Sequence, residues 1–320
     1  MDALASEPTY VDHLAAVFNA LPPEVRGKFL TSDERTTNRA KVLGYETARP
    51  NGGREPVLVA SYGDLGRARG MGRRKIAIME HGAGQSYGGR PSSARHGSYA
   101  GGQGRGAASL FLHPGEHPAA RDKAAYPKAR VEVVGAPFLD NLPAKEGKPG
   151  RVVAFSFHFN APIAPEARTA YPWIFPAIAA LRGKYKLLGH AHPRMWDAAK
   201  PRYEKLGIEP VRDFMDVCRR ADLYICDNSS TLFAFAATGR PVVVVNPPWY
   251  DRRVDHGLRF WEASEVGVNC NDPAELARCI RTALADAPEQ QAKREAALDL
   301  VYAFRSGAGA RAAAALLDWA

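Results

Sequence analysis

Four short stretches of this 320-residue sequence gather groups able to move protons or hold anions, and each begins where an apolar run ends. In "IAIMEHGAGQS", a run of four apolar residues is followed by Glu80 and His81, and then by Gly82, Gly84, Gln85 and Ser86. A histidine in that position can serve as a general base near neutral pH, and the glycines let a backbone approach a ligand closely. In "LLGHAHPRMW", His190, His192 and Arg194 crowd the end of a second run, and the His192–Arg194 pair suits neutral and cationic donation to phosphate oxygens. In "YICDNSSTLF", Asp227, Asn228, Ser229, Ser230 and Thr231 stand between a strand-like run and a helix-like one. Such a junction is either a side-chain helix cap or a set of free N–H groups for an anion. In "AFSFHFN", His158 leaves a fourth run, where a loop can reach a diphosphate. His190 and His192 offer two metal ligands without a third at a recognisable spacing, so no metal site and no cofactor are expected.

The runs that must position these residues read as buried parallel strands, each an apolar core with a polar exit. They fall at 56–64, 73–84, 108–117 and 129–140, then at 151–157, 185–193, 222–230 and 241–248. Helix-length segments alternate with the second set, at 167–183, 211–221, 231–239 and 272–286, and two more helices follow at 288–304 and 309–319. Residues 11–30 read as one or two helices broken at Pro22-Pro23. The stretch "NLPAKEGKPGR" (141–151) is the best linker, which divides the chain into α/β domains at 1–145 and 146–320. Residues 88–106, rich in Gly and Arg without apolar periodicity, read as a basic loop beside the site.

Lys and Arg number 43 against 34 Asp and Glu, and the net charge of +9 fits an anionic partner. The four cysteines lack a CxxC spacing and read as reduced thiols. The opening "MDALASEPTY" does not read as a signal peptide, and no run of about 20 apolar residues is present, so a cytoplasmic location is expected, with peripheral membrane contact allowed.

Taken in order, His81-Gly82, His192-Pro193, Asp227-Asn228-Ser229-Ser230 and Gly239-Arg240-Pro241, with "VVGAPFLD" before the linker, resemble the GT-B glycosyltransferases, and among them the CDP-glycerol glycerophosphotransferase, or teichoic-acid polymerase, family. The resemblance implies two Rossmann-like α/β domains with a cleft between them, an acceptor-side N-terminal domain and a C-terminal domain that binds a nucleotide-activated donor. It implies metal-independent transfer of a glycosyl or glycerophosphoryl group, from a UDP- or CDP-linked donor, to a hydroxyl on a polymer, protein or nucleic acid. His81 would be the base. His192 with Arg194 would offset charge on the leaving group, and Gly82, Gly84, Gln85, Ser86, His158 and residues 227–231 would line the donor phosphates. The sequence departs from the pattern at Phe233-Ala234, where related proteins place a ribose-binding acid. A nucleotide-sugar epimerase or hydrolase of the UDP-N-acetylglucosamine 2-epimerase type shares the architecture, and the acids it would need at strand exits are confined to Glu80, Asp140 and Asp227. The charge and the 88–106 loop also motivate a nucleic-acid-binding or DNA-modifying protein, although no recognition motif accompanies them.

Overall fold

A computed structural model describes residues 1–84, 100–146, 150–160, 168–250 and 264–320. The chain forms two compact units, Met1–Asn141 with Val301–Ala320, and Leu142–Leu300.

In the first unit β1 (Asp2–Ala5), β2 (Phe29–Thr31), β3 (Thr47–Ala48), β4 (Val57–Val59), β5 (Ile76–Met79), β6 (Leu110–His113) and β7 (Arg130–Val133) form one parallel sheet in the order β3-β2-β1-β4-β5-β6-β7. The four expected strands are β4 to β7. The first three are additions, and β1 is the informative one. "DALA" carries little strand propensity, yet Ala3, Leu4 and Ala5 are buried because β1 sits between β2 and β4. Alternate residues of each strand feed two cores. Ala77 and Met79 join Leu14, Phe18 and Leu112 on one face, while Ile76 and Ile78 join Val57, Leu65 and Phe111 on the other. Both faces are covered, which is why the strands read as continuous apolar runs.

In the second unit β8 (Val152–Ser156), β9 (Lys186–Gly189), β10 (Glu209–Pro210), β11 (Leu223–Cys226), β12 (Val242–Val245) and β13 (Val268–Cys270) are parallel in the order β10-β9-β8-β11-β12-β13. One face, with Val153, Phe155, Ile225 and Val243, packs on Ile174, Tyr203 and Ile280 from the flanking helices. The opposite face carries Ser156, Tyr224 and Cys226, so it is the more polar of the two. The helix after β11 spans only Thr231–Ala236, shorter than the expected 231–239.

The expected domain boundary near residue 145 falls close to the observed change of unit at Asn141/Leu142, but the C-terminal residues differ from expectation. Val301–Ala320 lie in the first unit, not the second. Their Ala-rich helix, Ala308–Trp319, packs on the helix Pro8–Ala20. A Cβ at Gly309 would lie 2.7 Å from Ala16 O, so only glycine permits this approach. Asp140 accepts from the amides of Ala308 and Gly309 at 3.2 and 2.7 Å and caps the helix. Leu316 is buried in the core of the first unit, whereas Leu317 is 42% exposed. In urea titrations Leu316→Ala is therefore expected to lose about 2–5 kcal/mol of stability, and Leu317→Ala about 0.5 kcal/mol or less.

Candidate functional site

Each sheet reverses its strand order once, between β1 and β4 in the first unit and between β8 and β11 in the second. Ligands of open α/β sheets sit beyond the carboxyl ends of the strands at such reversals.

His81 leaves β5 but is drawn toward the first reversal. Its Nδ1 lies 2.6 Å from Ala60 O at the end of β4. Its ring makes edge contacts with Tyr10 and His13, from the helix after β1, at centroid distances of 5.2 and 5.8 Å. A carbonyl only accepts, so Nδ1 carries the proton and Nε2 is the basic nitrogen, on an exposed residue. Burial, and then the charge of His81, push His13 down to about 3, so His13 is a neutral neighbour. Gly82 and Gly84 both have positive φ, at 80° and 68°. A Cβ at Gly84 would meet Pro118 Cγ at 2.7 Å, so Gly84 answers to internal packing, not to the close ligand approach expected of it. Gln85 and Ser86, and residues 88–99 of the basic loop, lie outside the described residues.

Glu80 is committed elsewhere. Burial would raise its pKa, but Arg105 outweighs that and holds the carboxyl below its usual range. Arg105 Nη1 and Nη2 reach the two Glu80 oxygens at 2.6 and 3.2 Å. Arg105 is only 2% exposed, so this residue of the 88–106 stretch is an internal counter-ion and adds nothing to a basic surface.

In the second unit the exits of β8, β9 and β11 converge. Asp227, fully buried, accepts from the amides of His158 (2.9 Å), Ala170 (3.1 Å) and Ser229 (3.3 Å) and from Tyr250 Oη (3.3 Å). Burial raises its pKa to about 6 against the opposing pull of those donors. A carboxylate so occupied has no capacity for a phosphate, which it would also repel, so the expected place of Asp227 among phosphate ligands is corrected: it ties together the loops around the site. Nor is it a helix cap. Ser230 is the N-cap residue and makes no side-chain cap bond. For Thr231 the correction concerns the hydroxyl alone, which donates to Ser229 Oγ at 3.0 Å and meets Tyr224 Oη at 3.0 Å. Asn228 is fully buried. Ser229 is buried, with 8% exposure, and Ser230 is half-buried, and the amides of Ser230 and Thr231 precede the turn bond from Leu232 N to Ser229 O.

The ring of His192 lies against Phe159 at 4.5 Å and His158 at 5.7 Å, and the Arg194 guanidinium stands over Phe159 at 4.8 Å. His192 Nδ1 accepts from Arg194 N at 3.2 Å, so in the neutral ring Nε2 carries the proton and donates. His158 has the reverse arrangement. Its Nδ1 donates to Phe159 O at 2.7 Å, and burial, aided by Arg194, pushes it down to about 4. It is neutral at physiological pH and supplies no charge to a phosphate. His190 is buried, with Nδ1 3.0 Å from Val211 O, and serves the fold. Among the described residues no group of three or more His, Cys, Asp or Glu side chains is arranged to hold a metal ion.

Tyr10, His13, Phe159, Tyr224 and Arg105 also line or brace these exits and were not anticipated. Tyr10 and His13, three apart at the start of a helix, carried a signal that was hidden because β1 before them was not recognised as a strand.

The two reversing parallel sheets give an α/β protein with a GT-B-like fold. Within that class the likeness is to the glycerophosphotransferases: residues 176–316 match the family described as CDP-Glycerol:Poly(glycerophosphate) glycerophosphotransferase. Among solved structures the chain is similar to S. aureus MnaA in complex with UDP (13% identity, 99% of this chain and 94% of that chain, TM-score 0.65). It is also similar to the wall teichoic acid polymerase TagF (12% identity, 99% and 88%, TM-score 0.60), and to Anabaena HepE with UDP and glucose (14% identity, 99% and 98%, TM-score 0.59). At these identities the structural likeness is one of fold. A search of curated proteins gives no match. No helix among the described residues is long and apolar enough to cross a membrane.

The folded pKa of Asp227, raised from 3.8 to about 6, means that the native state binds the proton more tightly than the unfolded chain. The resulting stabilisation is complete below pH 4 and lost as pH rises through 6. The stability advantage of wild type over Asp227→Asn in urea titrations is therefore expected to shrink by about 3 kcal/mol between pH 4 and pH 7.

Proposed function

We propose that the protein is a metal-independent GT-B transferase that moves a glycerophosphoryl or glycosyl group from a nucleotide-activated donor to an acceptor hydroxyl. One observation carries the reading. His81 and His192, at strand exits of the two units, are held by backbone bonds in opposite tautomers. His81 gives the first unit a basic Nε2, suited to removing a proton, and His192 gives the second an Nε2–H, suited to stabilising a leaving oxyanion.

In this reading the second unit binds the donor. Ser229, Ser230 and the amides of 230–231 take the diphosphate oxygens, and His192 with Arg194 offsets the charge that develops on the leaving group. His81 Nε2 removes the acceptor hydroxyl proton. With CDP-glycerol as donor, the acceptor oxygen bonds to the glycerol-bearing phosphorus, the bridging P–O bond breaks, and CMP leaves with the electron pair. With a nucleotide sugar, attack is at the anomeric carbon and the nucleoside diphosphate leaves. The family match favours glycerophosphoryl transfer. The epimerase alternative has a fold likeness to a UDP-N-acetylglucosamine 2-epimerase structure in its favour. The acids weigh against it, because Glu80 is paired with Arg105, Asp140 caps the final helix and Asp227 is saturated. Among the described residues, Arg105 of the basic stretch is buried against Glu80, which lends no support to a nucleic-acid-binding role.

CDP-, UDP-, GDP- and dTDP-linked ligands should separate in a thermal-shift screen, since a ligand at 100 times its dissociation constant adds about 2.7 kcal/mol. With the donor so found, His81→Ala and Ser230→Ala should each lower turnover on the order of 100-fold or more. Undiminished transfer by His81→Ala would remove it as the base, and rapid epimerisation of a nucleotide sugar without acceptor would favour the alternative.

A further inference from the structure

Beneath the turn after β11 runs a chain of hydroxyls, buried at Tyr224 and Ser229 and half-buried at Thr231. Tyr224, fully buried on β11, places Oη 3.0 Å from Thr231 Oγ1. Thr231 Oγ1 in turn donates to Ser229 Oγ at 3.0 Å. Ser156, on the adjacent strand β8, also hydrogen-bonds Tyr224. A threonine hydroxyl has one proton, and here Ser229 receives it, so the Tyr224–Thr231 bond can only have Tyr224 as donor. The direction of every bond in the chain follows. Ser229 Oγ is occupied as an acceptor from below, and its own proton is the one left to give.

We infer that Tyr224 is a positioning residue of the donor site: through Thr231 it orients the Ser229 hydroxyl as a hydrogen-bond donor toward diphosphate oxygens. This rests on the donor-binding reading above. Tyr224 touches no ligand itself and acts through two hydroxyls. Successive hydrogen bonds aligned in one direction polarise one another, which strengthens the last donor in a buried setting. Burial pushes the phenol well above its usual pKa, so it keeps its proton through neutral pH. The ring packs on Phe235 and Phe214 at 5.1 and 5.9 Å, contacts that phenylalanine would preserve.

The test is titration calorimetry of wild type, Tyr224→Phe, Thr231→Val and Thr231→Ser with CDP, UDP and inorganic pyrophosphate, with melting temperatures recorded. Tyr224→Phe and Thr231→Val are expected to weaken diphosphate binding about tenfold, whereas Thr231→Ser, which restores the hydroxyl, binds as wild type does. Wild-type affinity in Tyr224→Phe, or equal loss in Thr231→Ser and Thr231→Val, overturns the inference and leaves the donor reading standing. Failure of wild type to bind any of the three ligands overturns both. Should Tyr224→Phe unfold, the Thr231→Val and Thr231→Ser pair decides.

Discussion

The second unit depends on one buried carboxylate. Asp227 gathers amide donors from the loop after β8, from the segment before the helix Tyr171–Ala179 and from its own turn, and the Tyr250 hydroxyl from the segment after β12. An acid is needed because all four partners donate, and only a carboxylate presents acceptors on both oxygens. Burying it has an electrostatic cost, seen in its raised pKa, and the four donors offset that cost. The first unit repeats the device more lightly. Buried Asp64 accepts from Ser6 N at 3.2 Å, joining the exit of β1 to the helix that follows β4. In both units an aspartate bridges the point where strand order reverses, the place where the backbone must part to admit a ligand.

With the loops so fixed, histidines rather than acids become the titratable groups presented at the exits. The carboxylates near the strand ends are spent on guanidinium, amide or hydroxyl partners. His81, His158 and His192 each have Nδ1 bonded to the backbone. Because the backbone partner is a carbonyl for two of them and an amide for the third, identical side chains acquire opposite hydrogen-bonding character.

The two faces of the second sheet divide the work. The apolar face carries the close packing of Phe155, Ile225 and Val243. The other carries hydroxyls and a thiol, with Cys226 Sγ 3.8 Å from Thr231 Oγ1. Burial keeps that thiol protonated, so it behaves as a weak polar neighbour of the chain beneath the turn. A six-residue helix supplies only a modest dipole, so any anion at Ser229–Ser230 relies on individual hydroxyl and amide donors more than on the helix as a whole.

The sequence by itself determined where strands end and which polar residues follow them. An apolar core with a polar exit is a local pattern, and for β4–β9, β11 and β12 it sufficed to identify the strand and its exit. The α/β class, the two-part organisation and the order His81, His192, Asp227–Ser230 were legible for that reason. Tertiary structure alone decided what each exit residue does. Asp227 meets His158 and Ala170 across 69 and 57 residues of chain, and Arg105 finds Glu80 across 25. Such saturation of a polar group by remote partners leaves no local trace, which is why Asp227 and Thr231 read like their neighbours Ser229 and Ser230. The same reason hid β1, whose alanines are buried only because two strands flank them, and the return of the final helix to the first unit, which depends on a glycine against a distant backbone.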